Sequence, residues 1–340
     1  MIYSLQYMRA IAALLVVFHH ATSKGTQYSP TTFEWYTIGE AGVDLFFIIS
    51  GYIMCHTVDS KSISLTRFLT ARVKRIIPLY WVLTSMALVI YILFPDKVNS
   101  GGGGTNIIHS YTLFPVKENY LINNGWTLSY EFFFYLLFAF GLSLTSKFKF
   151  FLPVILIITL VSLGSLNLSD TTIFSFVTNP LLLEFSFGIL IYYLFKNYHL
   201  NMITGSSLII ISVILFLLVN VFTPNYSRVI SYGIPAMLFF TGMVALEPLF
   251  KNTHKNKIAL FFEMIGNSSY SLYLSHPFAL VITSIILNKL GFDKFGYLFV
   301  ILLVVSSIIA GQLCYLFIEK KLTKVLKKNR KGSSLSSFQS

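Results

Sequence analysis

Charge is what this sequence of 340 residues has least of. Asp, Glu, Lys and Arg together make up 11% of it, where a soluble domain carries roughly a quarter. Cysteine is nearly absent as well. Cys55 and Cys314 are two isolated thiols near the ends of apolar stretches, too few for a disulfide framework, and they read as packing residues. The first apolar run has no basic leader and no small-residue cleavage site, and Arg9 interrupts it, so it reads as a retained helix rather than a signal peptide. Neither zinc-finger spacing nor stacked aromatics accompany the formal net charge of +12. That excludes a nucleic-acid partner, and no metal is expected.

What the sequence does have is apolar surface, 55% hydrophobic residues and a mean hydropathy of +0.72. A soluble core of this chain length could not hide that much, whereas lipid can. A window of about 20 apolar residues predicts an all-α polytopic helix bundle of ten spans. They lie near 5–23, 36–58, 76–94, 126–145, 150–166, 173–195, 203–222, 229–246, 261–288 and 297–318. The ninth is long enough to tilt or to begin at the interface, and Gly233 and Pro235 mark a break in the eighth.

Lys and Arg alternate from loop to loop. Eighteen fall in 59–75, 146–149, 196–202, 247–260 and 319–340, six in the intervening loops, and Arg9 lies inside a span. By the positive-inside rule both termini are cytoplasmic. Residues 1–320 form one transmembrane domain, and 321–340 a basic, then Ser-rich, cytoplasmic tail. Loop 95–125, with Gly101–Gly104, reads as flexible. Neither a soluble domain nor an internal repeat is visible, so any chemistry belongs to the membrane domain itself.

Ionisable residues inside a membrane are costly, and each is a functional hypothesis by default. Arg9 and His20 are eleven positions apart, about three helical turns and roughly 16 Å, which returns to nearly the same face. His19 points about a quarter-turn away. The alternative is that the His19–His20 pair only caps the helix at the outer interface. Asp44 opens the second span at the depth where His20 emerges. There it either orients a histidine or pairs with a cation of another helix. Arg72 and Arg75 share a face at the cytoplasmic surface, suited to bidentate phosphate contacts, though charge alone favours a topology signal. Glu131, Glu184 and His276, the last in a Ser-rich run, lie within later spans. Each could bond one helix to another, but together they exceed what packing needs.

Six segments in order carry a resemblance. They are Leu5-Gln6-Tyr7-Met8-Arg9 through to His20, Gly42-Val43-Asp44-Leu45-Phe46-Phe47, Arg72-Val73-Lys74-Arg75-Ile76-Ile77-Pro78, Trp126-Thr127-Leu128-Ser129-Tyr130-Glu131, Leu183-Glu184-Phe185 and Tyr270-Ser271-Leu272-Tyr273-Leu274-Ser275-His276. Over about residues 3–320 the chain resembles the acyltransferase-3 family of bacterial membrane O-acyltransferases, especially its exopolysaccharide-production branch. The resemblance implies ten helices in the bacterial inner membrane, with acyl-CoA, usually acetyl-CoA, as donor co-substrate. It implies a hydroxyl of a surface or lipid-linked glycan as acceptor. It selects His20 as catalytic and Arg72 and Arg75 as donor-binding residues. Two departures are Thr127, where serine is usual, and Glu319-Lys320-Lys321, which lacks the usual proline.

The expected mechanism has the arginines holding the CoA phosphates and Arg9 lining the donor tunnel. His20 acts as general base with Asp44 or Glu131 orienting it, or else as a nucleophile forming an acyl-histidine. A glycan-lipid transporter or a non-catalytic partner in polysaccharide assembly would also use buried charges and many spans. CoA release on adding acetyl-CoA and glycan to membranes separates these readings.

Overall fold

A computed structural model describes residues 2–28, 33, 36–59, 63–95, 98, 102–143, 147–222, 226–253 and 256–326. These residues are helical almost throughout. An isolated bridge between Thr105 and Asn119 is the extended pairing among them. The helices are α1 (Tyr3–Thr26), α2 (Ala41–Asp59), α3 (Leu65–Leu93), α4 (Ile107–Thr112), α5 (Gly125–Leu142), α6 (Phe151–Gly164) and α7 (Thr172–Val177). They continue with α8 (Leu182–Asn197), α9 (Met202–Phe222), α10 (Ile234–Ala245), α11 (Glu247–Thr253), α12 (Lys257–Lys289) and α13 (Gly296–Cys314).

Each of the ten segments read from the sequence falls on helical chain. Among the described residues, however, seven helices are both long and apolar enough to cross a membrane, and two apolar helices, Phe151–Gly164 and Val229–Ala245, are shorter. The difference at α1 has a physical cause. Its 24 residues are long enough, but they include Gln6, Arg9, His19, His20 and Lys24. A helix enclosed by other helices need not be apolar all round, and α1 packs mainly on α12, then on α2 and α13.

The enclosure depends on close backbone approach. A Cβ at Gly42 would stand 2.5 Å from the Ala12 carbonyl oxygen, and one at Gly266 would stand 2.2 Å from that of Gln6. Only glycine at these two places lets α2 and α12 clasp α1. The first turn of α1 has orphan N–H groups, and Glu247 of α11 takes two of them, from Tyr3 at 3.0 Å and from Ser4 at 2.7 Å. The outer layer is different. In α9 only 11% of the apolar window is buried within the protein, against 78% for the segment containing α2, so α9 presents its side chains outward.

The break read at Gly233 and Pro235 is a single π turn, Val229–Gly233, leading into α10. The described part of loop 95–125 is tied down. Tyr80 donates to the Ser110 carbonyl at 2.6 Å, and Ser110 Oγ accepts from the Leu121 N–H at 2.8 Å. Cys55 and Cys314 are both buried and free. The last helical stretch continues to Leu326; residues 327–340 of the tail, and Gly101 with its near neighbours 96, 97, 99 and 100, lie outside the described residues.

Candidate functional site

The stripe on α1 that carries Arg9 and His20 faces a different polar chamber at each end. Arg9 opens on a cavity of about 380 Å³, into which α3 brings Arg72 and Arg75, α5 brings Glu131, and α12 brings Tyr270 and Tyr273. Arg72 lies over the rings of Phe68 and Tyr135, 5.4 and 6.0 Å from their centroids, an arrangement typical of cation–π contact. Its Nε is buried without a hydrogen-bond partner. Arg75 is half exposed and reaches Glu319 only at 3.9 Å, while Glu319 accepts from Ser271 at 2.6 Å. Glu131 accepts from the Tyr135 hydroxyl and, at 3.3 Å, from Ser50. Three guanidinium groups thus converge where only two carboxylates stand nearby, and one of those is at the edge of ion-pair range. Such an arrangement can hold a polyanion.

At the other end, His20 Nδ1 lies 2.7 Å from Nε2 of His276 on α12, the two rings being 5.0 Å apart and inclined by 27°. His276 is fully buried, and its Nδ1 is 3.1 Å from the carbonyl oxygen of Leu272 one turn earlier. The next residue, Pro277, has no N–H to give to the Tyr273 carbonyl. Asn124, from the turn before α5, supplies the missing donor at 2.8 Å. The Thr127 hydroxyl bonds the Asn124 carbonyl at 2.9 Å and the Tyr273 hydroxyl at 2.8 Å. That places Thr127, the departure noted in the sequence, in the partition between the chambers.

Two cavities reach His20. One, of about 320 Å³, has Lys24, Asn123 and Asn124 at its polar end and Phe278, Val281 and Ile282 along its wall. The other, of about 160 Å³, is lined by His19, Glu40, Asn124, Trp126 and Arg228. Tyr273 and Val43 line both this small cavity and the arginine cavity, so they stand between the two.

Asp44 is fully buried and accepts from Arg228 at 2.7 Å. Arg228 also donates to the Glu40 carboxylate at 2.5 Å and to its carbonyl at 2.9 Å. Glu184 is fully buried on α8, packed against Gly233 of the π turn. Of the two partners the sequence offered Asp44, the cation of another helix is the one present. Glu131 sits among the arginines. Among the described residues neither carboxylate hydrogen-bonds His20, and His276 takes that place.

Sequence reasoning missed Arg228, Asn124 and the partner of His20. Arg228 had one signal, being the single cation of a short loop between two apolar segments while Asp44 needed a charge to meet it. No described group of three or more His, Cys, Asp and Glu could hold a metal ion.

Three comparisons bear on this arrangement. The acyltransferase domain family known as acyltransferase-3 matches residues 2–316. Exopolysaccharide production protein ExoZ of Rhizobium meliloti (strain 1021) is 29% identical over 320 residues, covering 91% of this chain and 95% of that protein. Staphylococcus aureus (strain COL) SACOL0978, assigned by its name to the O-acetyltransferases, is 24% identical over 79% of this chain and 49% of its own length. ORF330 of Acidianus two-tailed virus, an acetyltransferase by name, is 26% identical over 79% of this chain and 80% of its own length. No solved structure matches.

Proposed function

The chain belongs to the acyltransferase-3 family and is an acyltransferase, and from that premise we propose that it moves an acetyl group from acetyl-CoA to a hydroxyl of a surface or lipid-linked glycan. The glycan side of this reading draws on the name of the Rhizobium relative, which ties that protein to exopolysaccharide production. The bundle crosses the bacterial plasma membrane ten times with both termini inside, so that α1, α6 and α10 join the seven helices that qualify by length and apolarity. Lys and Arg counts in alternate loops support this orientation.

The observation that carries the proposal is one helix, α1, with an arginine cavity at one end of a single face and a histidine at the other. Arg72 and Arg75 hold the CoA phosphates, and Arg9 lines the path inward. The roughly 16 Å from Arg9 to His20, at 1.5 Å per residue, is a length the pantetheine arm spans. The thioester then meets His20 past Tyr273. The acceptor hydroxyl reaches His20 from the opposite side, through the cavity of Glu40, Trp126 and Arg228, whose aromatic and planar polar groups suit a sugar ring.

His20 takes the hydroxyl proton as the oxygen forms its bond to the thioester carbonyl carbon. The carbon–sulfur bond breaks, and the leaving sulfur receives the proton from His20. Asp44 contributes by holding Arg228 beside the acceptor, and Glu131 by balancing the donor arginines. The test is acyl transfer from labelled acetyl-CoA in membranes carrying the protein, with mass spectrometry of the surface polysaccharide. Wild type adds the acetyl mass. A folded, membrane-inserted His20→Ala protein with undiminished transfer overturns the mechanism.

A further inference from the structure

The pairing of His20 with His276 fixes more than a distance. A backbone carbonyl can only accept, so the 3.1 Å contact between His276 Nδ1 and the Leu272 oxygen places a hydrogen on His276 Nδ1. With that position filled, the neutral ring presents an unshared pair at Nε2. At 2.7 Å, Nε2 therefore accepts a hydrogen from His20 Nδ1. Among the described residues no carboxylate hydrogen-bonds either ring, so nothing there offsets a further buried proton. The outcome for His20 is a ring protonated at Nδ1 and bare at Nε2.

We propose that His276 is a positioning residue, which holds His20 in the tautomer whose Nε2 is free to accept a proton from the acceptor hydroxyl. The inference rests on the reading of His20 as general base. His276 touches neither substrate in this scheme and acts through His20 alone. Its own position is set twice over. Complete burial restricts the ring, and the Asn124 bond to the Tyr273 carbonyl holds the helical turn from which His276 projects, at the one place where Pro277 leaves that turn short of a donor. The same logic makes His19 unsuitable, since its Nδ1 is buried with no hydrogen-bond partner to set its tautomer.

The test is solid-state nitrogen NMR of the histidine-labelled full-length protein in lipid bilayers, with the His20 signals assigned by their loss in His20→Gln. The expected spectrum has a protonated Nδ1 and an unprotonated Nε2 on His20. His276→Gln, whose side-chain amide can reach the Nε2 position, keeps that pattern and much of the acyl transfer. His276→Phe, of similar size but with no acceptor, loses the single pattern, and kcat falls on the order of 10²-fold or more, with acetyl-CoA binding unchanged. An Nε2-protonated His20 in the wild type overturns the proposal. So does a His276→Phe protein that retains both the tautomer and the rate. Because the spectrum is read without any acceptor, a protein that shows the expected tautomer but transfers nothing would instead overturn the proposed function.

Discussion

At one end of α1, two of the three arginines are held loosely, Arg72 by stacking on Phe68 and Tyr135 and Arg75 by an ion pair stretched to 3.9 Å; at the other, two histidines share a 2.7 Å hydrogen bond inside a frame of further bonds from Asn124 and Thr127. On the function proposed above, the contrast separates two jobs. Cations that are fully paired within a protein have little left for a ligand, so a binding end keeps its charges under-satisfied. A reacting group must instead be held in one orientation, so the groups that fix it are hydrogen-bonded in turn. The two environments lie on a single helix with Tyr273 between them.

The sharpest way to break the comparison is to remove the group held at the histidine end. His20→Ala is expected to lower acyl transfer on the order of 10²–10⁴-fold, the usual contribution of a general base, while binding of acetyl-CoA measured by calorimetry stays as in wild type. A parallel loss of donor binding would mean that the two ends are one site. Next in size, Arg72→Ala or Arg75→Ala is expected to weaken acetyl-CoA binding roughly tenfold or more, since a hydrogen bond to a charged group contributes about 1.5–3 kcal/mol. The His20 tautomer should be unaffected in both.

Asn124→Ala probes the partition. It strands the Tyr273 carbonyl, and an orphaned buried acceptor costs about 1–3 kcal/mol. The expected readout is a lowered thermal midpoint in detergent, with acetyl-CoA affinity intact. The smallest effect belongs to Lys196→Ala. Its ion pair with Asp59 at 2.5 Å involves no residue that lines the three cavities, and the lysine is about half exposed. Asp59 keeps the Tyr192 hydroxyl at 2.8 Å, so the loss is expected to stay near the ~1 kcal/mol of an exposed pair. A loss of transfer in that variant, beyond its slight effect on melting, would show that the ends are not as separate as they look.

These features differ in how far the sequence disclosed them. The Arg9–His20 stripe was legible because helix geometry fixes it locally, and eleven residues of one helix admit a single relation. Arg72 and Arg75 were legible for the same reason. Asp44 with Arg228 and His20 with His276 were not, because 184 and 256 residues separate the partners. Which helix stands beside which is decided by close contacts such as Gly42 on Ala12 and Gly266 on Gln6, and no periodicity encodes that choice. The apolar windows located every helix of twelve residues or more, though not the short α4 and α11, and they treated α1 like the rest. By apolarity α1 falls below its neighbours, because of Arg9, His19 and His20, and it is enclosure by α12, α2 and α13, which no hydropathy window senses, that accommodates those residues.

Pro277 and Asn124 carry a consequence for how such a chain can change over generations. If the proline is replaced first, the new residue brings its own N–H to the Tyr273 carbonyl, and Asn124 becomes a second donor that can later be lost at little cost. If the asparagine goes first, a buried oxygen is stranded at once beside the residue that orients His20. The same two replacements are therefore open in one order and nearly closed in the other, and the histidine end of the site has a direction built into its history.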